Sequence, residues 1–311
     1  MIKYQFIPAG SKAILKENNL YLDVGNSLEY GIIDHHQLNT QKSATTLVYE
    51  NPNFIPPTTK TLLLHKSVDL DCVASSYLAN YYLKNQTFPK FTKSLCKFVN
   101  KIDFGIKPNS TINLNSIFSI MKNEIDDDYK TTLQAHKLIE ELSIYGFDTD
   151  KLPSKYDTYK NIINEDIKLF TKDLEISKKI EVNLKTRNNR YKPTKGLILF
   201  APKSMFFKYF ARDYGYDLLI VKWSDKRIVI SLKPDSFFTL KEIAQKLNKA
   251  EKEKRKKLNI IINEENRNGY DMPNPWYDGR GHNYTIIDSP YNGSLLDFEE
   301  ILRICKLRYL V

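Results

Sequence analysis

The chain has only five histidines, and three of them, His35, His36 and His65, stand among aspartates near its start. The first group reads Asp23-Val24-Gly25 and then Asp34-His35-His36; the second is His65-x-x-x-Asp69-x-Asp71. Imidazole and carboxylate suit Mn²⁺ or Mg²⁺, and one carboxylate can bridge two cations that would otherwise repel each other. Two cations held ~3.5–4 Å apart stabilise the attacking and the leaving oxygen of a phosphoryl displacement. Such a centre needs donors from several chain segments at one place, and Asp23, Asp34, His35, His36, His65, Asp69 and Asp71 are candidates for it. A single aspartate after a strand is more often a turn or helix cap. The weight therefore rests on the spacing of the second group and the adjacency within the first.

Each group follows a short apolar run: residues 20–22, 32–33 and 61–64. Runs of this kind, bounded by polar residues, predict strands buried on both faces of a parallel sheet. Side chains just beyond them collect at the carboxyl edge, where open α/β folds build their sites. Residues 43–50 and 73–85 predict helices after the first and second groups. Residues 117–185, rich in Lys, Glu, Ile and Leu without strand-like alternation, predict amphipathic helices, with His136 on a helix surface. Strands return at 196–201, 217–223 and 227–233, with helices at 204–214 and from 239. There Thr239-x-x-Glu242 fits a capping box, and Ser294-x-x-Asp297 fits one before the last helix. The expected fold is α/β: a domain of residues 1–185 with a largely parallel sheet and helical layers, 117–185 being mainly helical layer and connector, and a smaller α/β domain of residues 190–311.

Length agrees with two domains, since 311 residues exceed the ~150 of a typical one. The balance of 47 Lys+Arg against 37 Asp+Glu, net +10, favours polyanionic partners. The basic stretch 246–257 reads as a nucleic-acid track or, with Glu251 and Glu253 interspersed, equally as a solvated helix face. Trp276 and Tyr277 are the best candidates for stacking on bases. Three cysteines without a C-x-x-C pair argue against a zinc ribbon, and neither disulfides nor thiolate metal sites are expected to hold the fold. Neither G-x-G-x-x-G nor a P-loop is present. No apolar run nears the ~18 residues of a membrane span and no secretory leader opens the chain, so a cytoplasmic protein without membrane association is expected.

Asp34-His35-His36 preceded by Asp23-Val24-Gly25, together with His65-x-x-x-Asp69-x-Asp71, resembles the DHH phosphoesterase superfamily. That group includes RecJ-type exonucleases, oligoribonucleases, cyclic-dinucleotide phosphodiesterases and manganese pyrophosphatases. The resemblance implies that His65 and Asp69 bind one divalent cation and Asp71 a second, with Asp23 bridging them and His35 a further ligand. It makes His36 an electrophile or general acid at the substrate phosphate, beside Asp34. The family's fourth aspartate falls on Asp103. In most members the His-x-x-x-Asp-x-Asp strand precedes the DHH triplet; here it follows, as in a circular permutation. The second half, with residues 227–233 and then Gly279-Arg280-Gly281-His282, resembles the DHHA1 domain, which implies substrate contacts from Ser231, Lys233, Arg280, Gly281 and His282. The implied protein is a hydrolase with two divalent cations, Mn²⁺ before Mg²⁺, acting on a nucleotide or short single-stranded oligonucleotide; a homodimer is compatible with this. The alternatives are a hydrolase of small phosphates or pyrophosphate, and a nucleic-acid-binding module without turnover.

Overall fold

The computed structural model describes residues 2–36, 38, 40–149, 151–234, 236–262, 269, 273–305 and 308–309. The fold is α/β. The chain divides into two compact units, Met1–Ile163 and Asn164–Val311.

In the first unit, β1 (Lys3–Ile7), β2 (Asn19–Leu22), β3 (Leu28–Glu29), β4 (Ile32–Ile33) and β5 (Thr61–His65) form a sheet in the order β1-β5-β2-β4-β3. The pairs β1–β5, β5–β2 and β2–β4 are parallel, and β3 returns antiparallel to β4. Leu20, Leu22, Ile33, Leu62 and Leu64 are fully buried on one face of this sheet, while on the other Tyr21, Ile32 and Leu63 pack with Ile7 and with Ala13 of the loop after β1. The helices of this unit are α1 (Ala44–Glu50), α2 (Leu70–Asn85), α3 (Thr92–Asp103), α4 (Leu114–Glu124) and α5 (Asp128–Leu142). Ser43 caps α1 by accepting from the Thr46 amide, and Asp69 caps α2 by accepting from the Cys72 amide. Every residue from Leu70 to Ala79 in α2 is buried, so this half of the helix belongs to the core.

His136 of α5 does not lie on a surface as expected. It is 9% exposed, with Nε2 2.8 Å from Ser76 Oγ and 3.2 Å from the Val73 carbonyl. The apolar face of α5 packs on α2, and the small Ser76 leaves room there for an imidazole.

Helix α6 (Asp157–Ile176) crosses the boundary between the units. The division falls earlier than the expected 185/190 because residues 178–185 are not helical. They form β6 (Lys178–Lys185), whose buried positions Ile180, Val182 and Leu184 alternate with exposed ones. With β7 (Tyr191–Phe200), α7 (Phe207–Asp213), β8 (Leu218–Lys222), β9 (Ile228–Leu232), α8 (Lys241–Lys257), β10 (Ile286–Asp288), α9 (Phe298–Ile304) and β11 (Arg308–Tyr309) it makes the second unit, a sheet ordered β10-β9-β8-β7-β6-β11. Strands β7 and β8 are parallel, joined through α7, and the remaining pairs are antiparallel. Leu197, Leu199, Leu219 and Val221 pack with Phe170 and Phe207 on one face; Ile198, Ile220, Ile230 and Leu232 pack with Leu247, Trp276 and Ile301 on the other.

The expected cap residues shift. Helix α8 begins at Lys241 without a side-chain cap, and Glu242 instead meets Tyr191 and Lys246. Asp297, not Ser294, caps α9, closing a box with Glu300. The Ser294 hydroxyl is taken by Glu251. No helix among the described residues is long and apolar enough to cross a membrane.

Candidate metal centre

Three neighbouring parallel strands, β5, β2 and β4, end at one level. The register pairs Tyr21 with Leu63 and Leu22 with Ile33, so two steps beyond the first pair and one beyond the second it sets Asp23 beside His65 and Asp34. The Asp23 amide donates to the Ile33 carbonyl at 3.0 Å, extending the ladder to the aspartate itself. Asp23 then turns into the left-handed region, φ 58°. That conformation is uncommon for a residue with a Cβ, and such residues gather at functional sites.

The Asp23 carboxylate lies between two groups of donors. Its Oδ2 is 3.4 Å from His65 Nε2, which is itself 3.6 Å from Asp69 Oδ2. Its Oδ1 is 3.3 Å from His35 Nε2 and 3.5 Å from His36 Nδ1. His35 Nε2 is also 3.7 Å from Asp71 Oδ2, and His35 Nδ1 is 3.8 Å from Asp103 Oδ2, at the end of α3. The first unit thus brings together every candidate predicted in it: Asp23, Asp34, His35, His36, His65, Asp69, Asp71 and Asp103.

These separations decide what the cluster is suited to. Most exceed the 2.7–3.2 Å of a good N–H···O bond, yet they are close to the ~3 Å between adjacent donors on a cation bound at ~2.1 Å. Two buried carboxylate oxygens, Asp23 Oδ1 and Asp103 Oδ2, accept no hydrogen bond among the described residues. Buried carboxylates in this state are costly unless a cation meets them. The donor set therefore fits divalent cations, with Asp23 common to two groups of ligand atoms: Asp23, His65 and Cys72, and Asp23, His35 and His36.

The titration behaviour has the same origin. Burial alone would raise the carboxyl groups and lower the imidazoles. At Asp23 the charges and contacts of His36, His35 and His65 overcome burial and hold the carboxyl well below its usual range. Despite burial, Asp103, Asp23 and Asp71 raise His35 well above 6.5, and Cys72, Asp69 and Asp23 do the same for His65. Burial and the Asp23 charge raise Asp71 to about 7, and burial together with neighbouring aspartates raises Asp103 well above the usual range. Without cations, protons on these groups offset the crowded negative charge.

Two aspartates have additional structural work. Asp34 Oδ2 accepts from the Asn26 amide at 2.8 Å, while its Oδ1 accepts from the His36 amide and lies 2.7 Å from His36 Nδ1. It thereby fixes the orientation of the His36 ring. The Asp71 carboxylate accepts from the Ala44 and Thr45 amides at 2.6 and 2.8 Å and from the Thr45 hydroxyl at 2.6 Å. It thereby ties the start of α1 to that of α2.

Cys72, whose sulfur lies within 4.8 Å of ligand atoms of Asp23 and His65, is a candidate donor that the sequence motifs do not include. Its position was legible: it stands three residues after Asp69, so the two share one side of the first turn of α2. It is fully buried, and burial pushes its thiol up to about 11.

The second-unit candidates do not form one group. Arg280 is ion-paired with Asp278 and helps line a cavity of about 450 Å³ with Lys241, Lys249, Lys252 and Tyr284. Ser231, Lys233 and His282 are not among its lining residues. The buried Ser231 Oγ makes no hydrogen bond among the described residues, and the Lys233 amide donates to the Asp217 carbonyl. Gly281 lies in the short turn Arg280–His282, whose half-buried His282 donates its amide to Gly279. Gly279 has a packing reason: at φ 58° an added Cβ would collide with the Ile286 carbonyl. Trp276 is no stacking platform, being fully buried with Nε1 bonded to Glu251. Glu251 is likewise not on a solvated face, since it also holds Arg255, Ser294 and the Leu295 amide.

No family model matches the chain, and no curated protein matches it. A solved structure described as an uncharacterized protein from Helicobacter pylori G27 is similar over 84% of this chain and 78% of that chain, at 11% identity and a TM-score of 0.22. At that score the likeness bears on neither fold nor function.

Proposed function

We propose that the protein is a DHH-type phosphoesterase that hydrolyses phosphate esters of nucleotides or short single-stranded oligonucleotides with two divalent cations. One observation carries the reading: the Asp23 carboxylate presents one oxygen to His65 and the other to His35 and His36, at the joint end of three parallel strands. His65 and Asp69 would hold one cation, and His35, Asp71 and Asp103 the other, with Asp23 common to both. Mn²⁺ or Mg²⁺ suits the oxygen-rich donors. When bound, the pair supplies Lewis acidity at a phosphoryl oxygen and acidifies water.

The protein's own groups supply the rest. His36 is less buried than His35, and Asp34 holds its Nδ1, which leaves Nε2 to exchange a proton with a phosphate oxygen or leaving group. Arg280 and the lysines along the cavity in the second unit are suited to phosphate oxygens of the substrate.

Hydrolysis of dinucleotides, short oligomers, cyclic dinucleotides and pyrophosphate, with and without Mn²⁺, tests the proposal in the native protein and in Asp23→Asn. Asparagine keeps the shape and tolerates the left-handed backbone. Metal-dependent cleavage of nucleotide esters should fall by roughly 10²-fold or more in the variant. Equal rates, or no metal-dependent hydrolysis of any substrate, would refute the phosphoesterase reading. Cleavage of pyrophosphate alone would refute the nucleotide substrate.

A further inference from the structure

We propose that Cys72 is a ligand in this centre, and that its sulfur makes the His65 position select a thiophilic divalent cation of the Zn²⁺ type while the His35 position keeps Mn²⁺ or Mg²⁺. The inference rests on the two-cation reading and adds a ligand and a division of labour between the two positions.

Ligand atoms of Asp23, His65 and Cys72 all lie within 4.8 Å of one another. All three residues are buried, and His65 Nε2 lies 3.4 Å from Asp23 Oδ2. Cys72 reaches the cluster from the first turn of α2, where its amide is already used by Asp69 Oδ1. On the Asp23 Oδ2 side the available donors are therefore one imidazole, one thiol and the carboxylates of Asp23 and Asp69. Nitrogen, sulfur and carboxylate donors suit Zn²⁺, and thiolate ligation discriminates against Mg²⁺ and Mn²⁺. On the Oδ1 side the donors brought near are His35 and His36, with Asp71 and Asp103 beside His35, a nitrogen and oxygen set without sulfur. Binding at the sulfur position transfers the Cys72 proton to solvent as the S–metal bond forms, so uptake releases acid.

The test uses the full chain, stripped with a chelator and titrated with Co²⁺. The readouts are near-ultraviolet sulfur-to-cobalt charge-transfer absorption and bound cobalt by elemental analysis. The native protein and a Cys96→Ser control should both show the absorption, saturating at one equivalent. Cys72→Ser should still bind cobalt but lose the absorption, and its preference for Zn²⁺ over Mn²⁺ should drop by roughly tenfold or more. Cobalt bound to the native protein without sulfur absorption would overturn the Cys72 assignment and leave the two-cation reading standing. Failure to bind Co²⁺, Zn²⁺ or Mn²⁺ would overturn both. The native spectrum decides the question even if Cys72→Ser does not fold.

Discussion

At the scale of single residues, the molecule uses histidine in opposite ways. His35 and His65 are buried among carboxylates that favour their protonated forms, whereas His136 is buried where no carboxylate compensates. Desolvation, with Lys84 adding to it, lowers His136 to about 4. The rings of Tyr4 and Tyr77 pack against it, and Ser76 Oγ and the Val73 carbonyl meet Nε2. Because the Ser76 hydroxyl already donates to Val73, the ring nitrogen is the donor. The folded state thus refuses a proton that the unfolded chain accepts near 6.5. Stability from this residue is complete above pH 6.5 and is lost as pH falls toward 4, by up to about 3 kcal/mol. Denaturant midpoints should therefore drop more steeply between pH 6.5 and 4 in the native protein than in His136→Gln; parallel curves would refute this. The nucleus of the centre was readable residue by residue, because histidine is scarce and its spacing to aspartate is distinctive. The contacts of Asp34 and Cys72 are less legible: the spacing of Cys72 to Asp69 places it on the right side of a helix turn, but nearness to Asn26 or His65 is set in three dimensions and leaves little mark in a linear string.

At the scale of elements, carboxylates organise the helix starts. Asp71 receives the first amides of α1, and Asp69 caps α2. In the second unit α6 does this for α7: buried Asp166 accepts from Ser204 Oγ and the Met205 and Phe206 amides, and Asp173 accepts from the Lys203 and Ser204 amides. Replacing Asp166 with alanine strands these donors in the interior. The expected loss is about 2–4 kcal/mol in chemical denaturation; a loss under half a kilocalorie would contradict it. Strands β2, β4 and β5 could be read from their apolar runs, and β7, β8 and β9 likewise. Strand β6 was missed because its lysines and glutamate occupy the exposed positions of a period-two pattern and imitate the charged face of a helix. Two-residue elements such as β3 carry too little pattern to be seen at all.

At the scale of the whole molecule, two compact units divide the candidate chemistry: acids and imidazoles in the first, a cation-lined cavity in the second. Calorimetry should resolve two transitions. Mn²⁺ at a hundredfold excess over its dissociation constant should stabilise the first unit by about 2.7 kcal/mol and leave the second in place. Asp166→Ala, which lowers the second, identifies which transition is which. A shift of both together would show the units to be thermodynamically coupled. The net charge of +10 predicted little of this, since the candidate centre in the first unit is built from buried aspartates and histidines rather than from lysine or arginine.

The shared position of Asp23 also bears on how the first unit comes to be folded. Its neighbours in the cluster come from positions as distant as 65 and 103, so several loops must close before any donor meets its partner, and closing them takes carboxylates and imidazoles out of water together. Desolvation of these groups opposes the last stage of assembly, and a divalent ion bound as proposed would offset it. Refolding followed by stopped-flow fluorescence should be faster in Mn²⁺ than in chelator; identical rates would show that the ions enter only a finished protein.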